Sequence, residues 1–406
     1  MAISFGMLST YPPTQCGLAT FSHALVTHLV SAGADVGIVR VVDCPQPAEP
    51  RVVHQLVIGE RGAARQAANA LNLHDVAIVQ HEYGIFGGRD GQDVLDVLAA
   101  VRIPVISVLH TVLTRPTPNQ RRVLAGVVAA SSIVVTMTQT ARQRLLDGWD
   151  VEPGTVMVIA HGAEDNRAPE PGHDQVTRWE DEGGSRAQAV STGVSISAET
   201  TDTGAAARRP TILTWGLLGP GKGIEWALEA MAGLADLDSR PRYAVVGETH
   251  PRVVEWAGEA YREGLEAQVA DLDLADHVTF DGRYLDGPTL RSIVRAADII
   301  LLPYDSRDQV TSGVLTEAVV AGKPVVSTSF PHAVELLSSG AGLLVPQRDP
   351  GAISRALRTL LTDPALTAEM ARTSRSLAPG LLWPAVAEQY IGVGEDLVAE
   401  GARSVA

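Results

Sequence analysis

The sequence predicts an α/β protein of two lobes, each built on a largely parallel sheet. At 406 residues the chain is longer than one compact core usually grows. Its apolar, β-branched runs do not alternate with polar residues but stand between helical stretches, as strands covered on both faces do. The pattern also runs twice, once on each side of a polar stretch at 166–209.

In the first lobe, 1–165, residues 3–8 read as a buried strand and 18–30 as a helix with one apolar face. Further strands are predicted at 35–41, 52–58, 76–80, 104–109, 133–136 and 156–159, with helices at 94–100, 118–130 and 138–149. From 166 to 209 the chain turns to Glu, Asp, Gly, Ser, Thr and Ala, too poor in large apolar side chains to offset its ordering entropy. A flexible acidic insertion is expected there, with His173 and Glu180-Asp181-Glu182 as solvated groups. The second lobe, 210–380, is predicted to carry strands at 211–217, 243–246, 278–280, 299–302, 324–328 and 342–345. Its helices are expected at 222–234, 251–271, 314–321, 351–361 and 364–374, and a last helix starts near 383 within the closing segment 381–406.

The net charge of −15 argues against general binding of nucleic acid or anionic membrane, leaving anion recognition to a local pocket. Cys16 and Cys44 are too few for a disulfide framework and are expected to be reduced. No basic leader opens the chain and no apolar run has membrane-spanning length, so a cytoplasmic protein without a transmembrane segment is expected. The sequence leaves room for a homodimer.

Ligands of parallel sheets bind beyond the carboxyl ends of the strands, and four such ends carry chemistry. After the first strand, a Pro-rich loop leads to Gly17 at a helix start, which suits an anion; it suits a plain tight turn equally well. At 80–88, His81, Glu82 and two aromatics precede a glycine pair, a mixture suited to sugar hydroxyls; a histidine satisfied by local backbone is the plainer alternative. His110 closes the strand at 104–109 and by itself says little. In the second lobe, residues 215–223 (WGLLGPGKG) join strand to helix, and the amides around Gly216 and Gly219 with Lys222 fit a diphosphate. This is not a P-loop, because Gly223 stands where Ser or Thr is needed, nor is it GxGxxG. Facing it, Thr311, Ser312, Gly313 and Val314 lie at a helix start, with Glu317 about a turn in, placed to accept from ribose hydroxyls. Asp271-Leu272-Asp273 is a formal DxD but ends a polar helix away from the strand ends, and it reads as surface.

Together these residues resemble the retaining GT-B glycosyltransferases of glycosyltransferase group 1, family 4. Residues 297–304 (ADIILLPY) and 317–326 (EAVVAGKPVV) carry the most specific part of the likeness. Residues 210–230 are similar to the family's donor-phosphate loop, 104–111 to the strand whose histidine reaches the donor sugar, and 158–162 to the end of the first lobe. Residues 383–390 are similar to the helix that crosses back to the first lobe. Two positions depart: Gln309 stands where the family has Glu, and Leu217 where it has Arg.

The resemblance implies two Rossmann-like lobes facing a cleft. It implies transfer of a hexose, such as mannose or glucose, from a GDP-, UDP- or ADP-sugar to a sugar, polyol or lipid-linked acceptor. Neither a metal nor a permanently bound cofactor is called for. Lys222 and the amides of 311–314 would stabilise the leaving diphosphate, with Arg307 or Arg283 as further cations. Glu317 would hold the ribose, His110 and Gln309 would position the sugar, and Tyr284 would join the donor side. The acceptor would enter near Gly17, His81 and Glu82. A sugar-nucleotide epimerase and a non-catalytic nucleotide-sugar sensor or scaffold are the alternatives, the sensor favoured by Leu217 and Gln309.

Overall fold

The computed structural model describes residues 2–167 and 208–405. The first sheet has seven strands: β1 Ser4–Ser9, β2 Asp35–Val42, β3 Val52–Val57, β4 Val76–His81, β5 Val105–Leu109, β6 Ile133–Thr136 and β7 Val156–Val158. They lie in the order β3-β2-β1-β4-β5-β6-β7, all parallel. The second has six: β8 Thr211–Trp215, β9 Arg242–Val246, β10 Val278–Asp281, β11 Ile299–Leu302, β12 Val325–Thr328 and β13 Gly342–Val345. Their order is β10-β9-β8-β11-β12-β13, again parallel throughout. In both sheets the chain builds outward from the first strand and then returns to its other side. Each sheet therefore has a switch point, between β1 and β4 and between β8 and β11, where a crevice opens beyond the strand ends.

Burial on both faces explains the unbroken apolar runs. Successive side chains of a strand point to opposite faces. In β4, Val76 and Ile78 join one core cluster while Ala77 and Val79 join another. In β11, Ile299 and Leu301 likewise part from Ile300 and Leu302. The closing helix, Trp383–Val405, returns to the first lobe, where Val386, Ala387, Tyr390 and Val393 pack with Phe5 and Met7. Full burial of each such large side chain contributes about 1.5–3 kcal/mol, enough to fix this helix across the molecule.

The helices differ from expectation in two ways. Ala63–Leu71, Gly287–Ala296 and Pro331–Leu337 are additional. The long helix expected at 251–271 is two, Pro251–Ala257 and Ala260–Asp271. The break falls at Gly258, whose φ of 60° lies outside the right-handed helical region. Asp271 and Asp273 are exposed at the end of the second. Cys16 and Cys44 are free. Within the polar stretch, residues 168–207, including His173 and the acidic triplet, lie outside the described residues. Asn166 at its start is buried, donating to the Arg291 carbonyl (3.0 Å) and accepting from Arg295 (2.6 Å). No helix of the described residues is long and apolar enough to cross a membrane.

The lobes are joined across the crevice. Asp308 accepts from the Thr114 amide and hydroxyl (3.2 and 2.6 Å), and the Thr138 hydroxyl donates to the Val310 carbonyl (3.1 Å). The Glu335 carboxylate receives the amides of Gln139 and Thr140 (2.7 and 2.9 Å). These amides begin the helix Gln139–Gly148, whose dipole favours the negative charge.

Candidate functional site

The second-lobe side of the crevice is built mainly of backbone. The loop after β8 is tied at Gly216 N to Val246 O (3.0 Å), Leu218 N to Glu248 O (2.8 Å) and Lys222 N to Gly219 O (3.1 Å). Asp305 N, in the loop after β11, donates to Gly221 O (2.9 Å). Gly223 has φ +68°, and a Cβ there would sit 1.9 Å from the Pro303 carbonyl oxygen. No side chain fits, which is the physical reason that this loop departs from the P-loop pattern.

Lys222 Nζ lies 4.6 Å from the centre of the Tyr304 ring, which stacks on Phe330. Such a contact holds a cation without neutralising it. Among the described residues no carboxylate pairs with Lys222. Burial lowers its pKa to about 8, leaving it largely charged at neutral pH.

The helix Gly313–Val320 points its start at the same place. Ser312 is its cap, the hydroxyl accepting from Leu315 N (3.2 Å), while its own N–H donates to Nδ1 of His332 (2.8 Å). Of the run expected to be open, the Ser312 amide is thus engaged. The amides of Gly313 and Val314 remain, having no partner within the helix. The Thr311 hydroxyl is buried without a partner among the described residues. Glu317 lies one turn in. Burial raises its pKa to about 7, against the lowering effects of a hydrogen bond from Trp215 and the nearby Arg291. Gln309 turns its amide to Thr311 O (2.9 Å). Tyr284 is exposed and meets the first lobe, its hydroxyl 3.3 Å from Thr20 Oγ1. Arg283 is held by Asp281 (2.6 Å), and Arg307 is exposed.

The first-lobe side is built of buried, largely uncharged side chains. His110 Nε2 lies 2.7 Å from the Gln80 amide oxygen and its ring meets Phe21 edge-on at 4.9 Å. Burial, with His161 and His81 nearby, pushes its pKa well below the usual value. His81 ends β4 fully enclosed, with neither ring nitrogen partnered among the described residues, and burial lowers its pKa to about 4. The Tyr83 hydroxyl is also buried without a partner. Buried polar atoms without partners mark places where water or a ligand completes the bonding. Glu82 accepts from the Thr111 hydroxyl (2.5 Å) and the Tyr83 amide (2.9 Å), yet burial still raises its pKa. Gly17 opens the helix Gly17–Ser31; a Cβ there would meet nothing within 4 Å, so packing does not demand glycine.

A cavity of about 480 Å³ opens at this edge, lined by Glu82, Tyr83, Gly84, Thr111, Gln120 and, from the second lobe, Arg252. His161 spans to the other lobe: its Nδ1 donates to Gly162 O (2.7 Å), and a Cβ on Gly313 would lie 2.8 Å from its Nε2. The switch points thus gather Lys222, Thr311 to Val314 and Glu317 on one side, and His81, Glu82 and His110 on the other. Thr111, His161, His332 and Arg252 join them, although sequence reasoning did not assign them roles. For Arg252 a signal existed: His250-Pro251, just beyond a strand end, has the form of a helix cap and first position.

Residues 209–363 match the family model described as glycosyl transferases group 1. The D-inositol 3-phosphate glycosyltransferase of Acidothermus cellulolyticus is 28% identical over 316 residues, covering 73% of this chain and 63% of the relative. That of Kineococcus radiotolerans is 30% identical over 285 residues, covering 66% and 58%. This chain therefore spans less than two thirds of the length of either relative. A crystal structure of Anabaena HepE in complex with UDP and glucose superposes with a TM-score of 0.71 at 17% identity, covering 97% of this chain and 100% of that one.

Proposed function

From a second lobe that belongs to the group 1 glycosyl transferases and a pair of sheets in the GT-B arrangement, we propose that this protein is a retaining hexosyltransferase. It would use a nucleoside diphosphate sugar and a hydroxyl acceptor. The observation that carries the reading is Lys222. It is a half-buried cation over an aromatic ring, with no carboxylate partner among the described residues, in the glycine loop at the switch point. A diphosphate is the partner such a group suits.

In the reaction, the bond from the sugar C1 to the diphosphate oxygen breaks and one from C1 to the acceptor oxygen forms. The acceptor proton passes to the departing diphosphate. Charge grows on the diphosphate as the bond opens, so pre-placed donors there lower the barrier. Lys222 and the amides of Gly313 and Val314 fill that role, and Glu317 holds the ribose. The acceptor occupies the cavity beside Glu82 and Thr111, whose short mutual hydrogen bond fixes both groups. Orientation supplies the remainder. UDP and glucose in the Anabaena protein, and the inositol phosphate in the names of the relatives, indicate which donors and acceptors to try first.

The test is incubation with UDP-, GDP- and ADP-hexoses, with and without cyclitol and sugar acceptors, reading nucleotide release and the anomeric configuration of the product by NMR. Acceptor-dependent release with an α-product from an α-donor supports the reading; an inverted product removes retention. A nucleotide-sugar sensor is the second reading, favoured by Leu217 and by Gln309, whose amide is turned to Thr311. Binding without release would select it.

A further inference from the structure

We propose that Arg252 is the second cation of the diphosphate site, filling from the neighbouring strand end the place left by Leu217. The inference rests on the diphosphate reading above and adds a residue to it. The segment after β9 is bonded to the phosphate loop: Leu218 N donates to Glu248 O and His250 N to Leu218 O, both at 2.8 Å. Val253 covers Gly219, where a Cβ would lie 3.0 Å from its Cγ2. Arg252 stands between these contacts, in the first turn of Pro251–Ala257. Lys222 and Arg252 act on a common neighbour: the His250 imidazole is disfavoured as a cation by burial first, then by Arg252 and by Lys222.

Three other arginines of the second lobe are committed. Arg283 is paired with Asp281 (2.6 Å), Arg348 with Asp305 (2.6 Å), and Arg262 donates to Gly247 O (2.6 Å) beside Glu259. Arg252 has no carboxylate in salt-bridge contact among the described residues. Its guanidinium donates to the Gly84 carbonyl of the first lobe and lines the cavity between the lobes. A neutral carbonyl is a weaker partner for a guanidinium than a diphosphate, which it can engage through two parallel charged hydrogen bonds. Arg252 therefore exchanges Gly84 for the donor diphosphate at the point where donor and acceptor meet.

The experiment is titration of the full chain with UDP and with uridine, and in parallel with GDP and guanosine and with ADP and adenosine. The readout is the ratio of diphosphate to nucleoside affinity. Arg252→Gln is expected to lower that ratio about 10–100-fold, the size of a lost charged hydrogen bond, with nucleoside affinity and Tm unchanged. Adding Leu217→Arg to that variant is expected to recover much of the ratio. An unchanged ratio in Arg252→Gln while Lys222→Gln collapses it overturns the inference and leaves the functional reading intact. Equal loss of nucleoside and diphosphate affinity also overturns it. A wild-type chain that prefers no diphosphate to its nucleoside overturns both.

Discussion

The two sides of the crevice occupy equivalent places in two sheets of matching order, yet they are made of different materials. The second-lobe side uses backbone amides, a glycine loop and one cation over a ring. The first-lobe side uses buried side chains, three of them histidines held neutral by burial. A polyanionic donor can be held by amides and a cation whatever its sugar. A polyhydroxyl acceptor has to be recognised by shape and directed hydroxyl bonds. On the proposed function, the same switch-point geometry would serve a general donor site on one side and an individual acceptor site on the other.

Four substitutions or conditions break or sharpen that contrast. The largest effect is expected for Lys222→Ala, with acceptor-dependent turnover falling about 10²–10³-fold, as when one stabilising donor is removed from a developing charge. Far-UV circular dichroism and Tm should stay close to wild type. Gly223→Ser comes next. It places a Cβ against the Pro303 carbonyl at positive φ, so a loss of about 1–3 kcal/mol of stability is expected in urea unfolding, together with weaker nucleotide binding.

Third, Gln309→Glu restores the carboxylate of the resembling family, yet it is expected to weaken donor binding. The amide hydrogen now given to Thr311 O would be lost, at a cost of about 1–3 kcal/mol; tighter donor binding in that variant would show that this glutamine does not depend on its present contact.

The fourth effect is a pH slope belonging mainly to the first-lobe side. His81, His110, His161 and His332 all have pKa values depressed from 6.5. Unfolding therefore takes up protons below pH 6.5, and stability is lost as pH falls toward about 4, by about 1.4 kcal/mol per pH unit for each group in its window. Glu317 runs the other way: raised from 4.5 to about 7, it contributes stability at low pH that is lost as pH rises through that range. Urea midpoints at pH 5, 6 and 7 should rise with pH, and His81→Phe should flatten the rise. A flat wild-type profile would mean that these imidazoles are not kept neutral.

The contrast also explains what the sequence revealed. Parallel strands buried on both faces leave unbroken β-branched runs, so β5, β8 and β11 were legible, and with them His110 just past β5, Lys222 in the loop after β8 and Glu317 on the helix that follows β11. Amide sites depend on local glycine and helix-start patterns, which are visible in one short stretch. The commitments of side chains across the fold are not. His332 takes the Ser312 amide from 20 residues away, and Asn166 at the edge of a polar stretch reaches Arg291 and Arg295. Arg252 stood just beyond the strand at 243–246 in the sequence, but its reach to the Gly84 carbonyl of the first lobe, 168 residues away, is a commitment of the same kind.

The division of labour between the sides is tested most directly by Glu82→Gln, measuring nucleoside diphosphate affinity and acceptor KM in the same preparation. An unchanged nucleotide affinity with a raised acceptor KM is the expected result. Lost nucleotide affinity with an unchanged acceptor KM would contradict the assignment of donor and acceptor to opposite lobes.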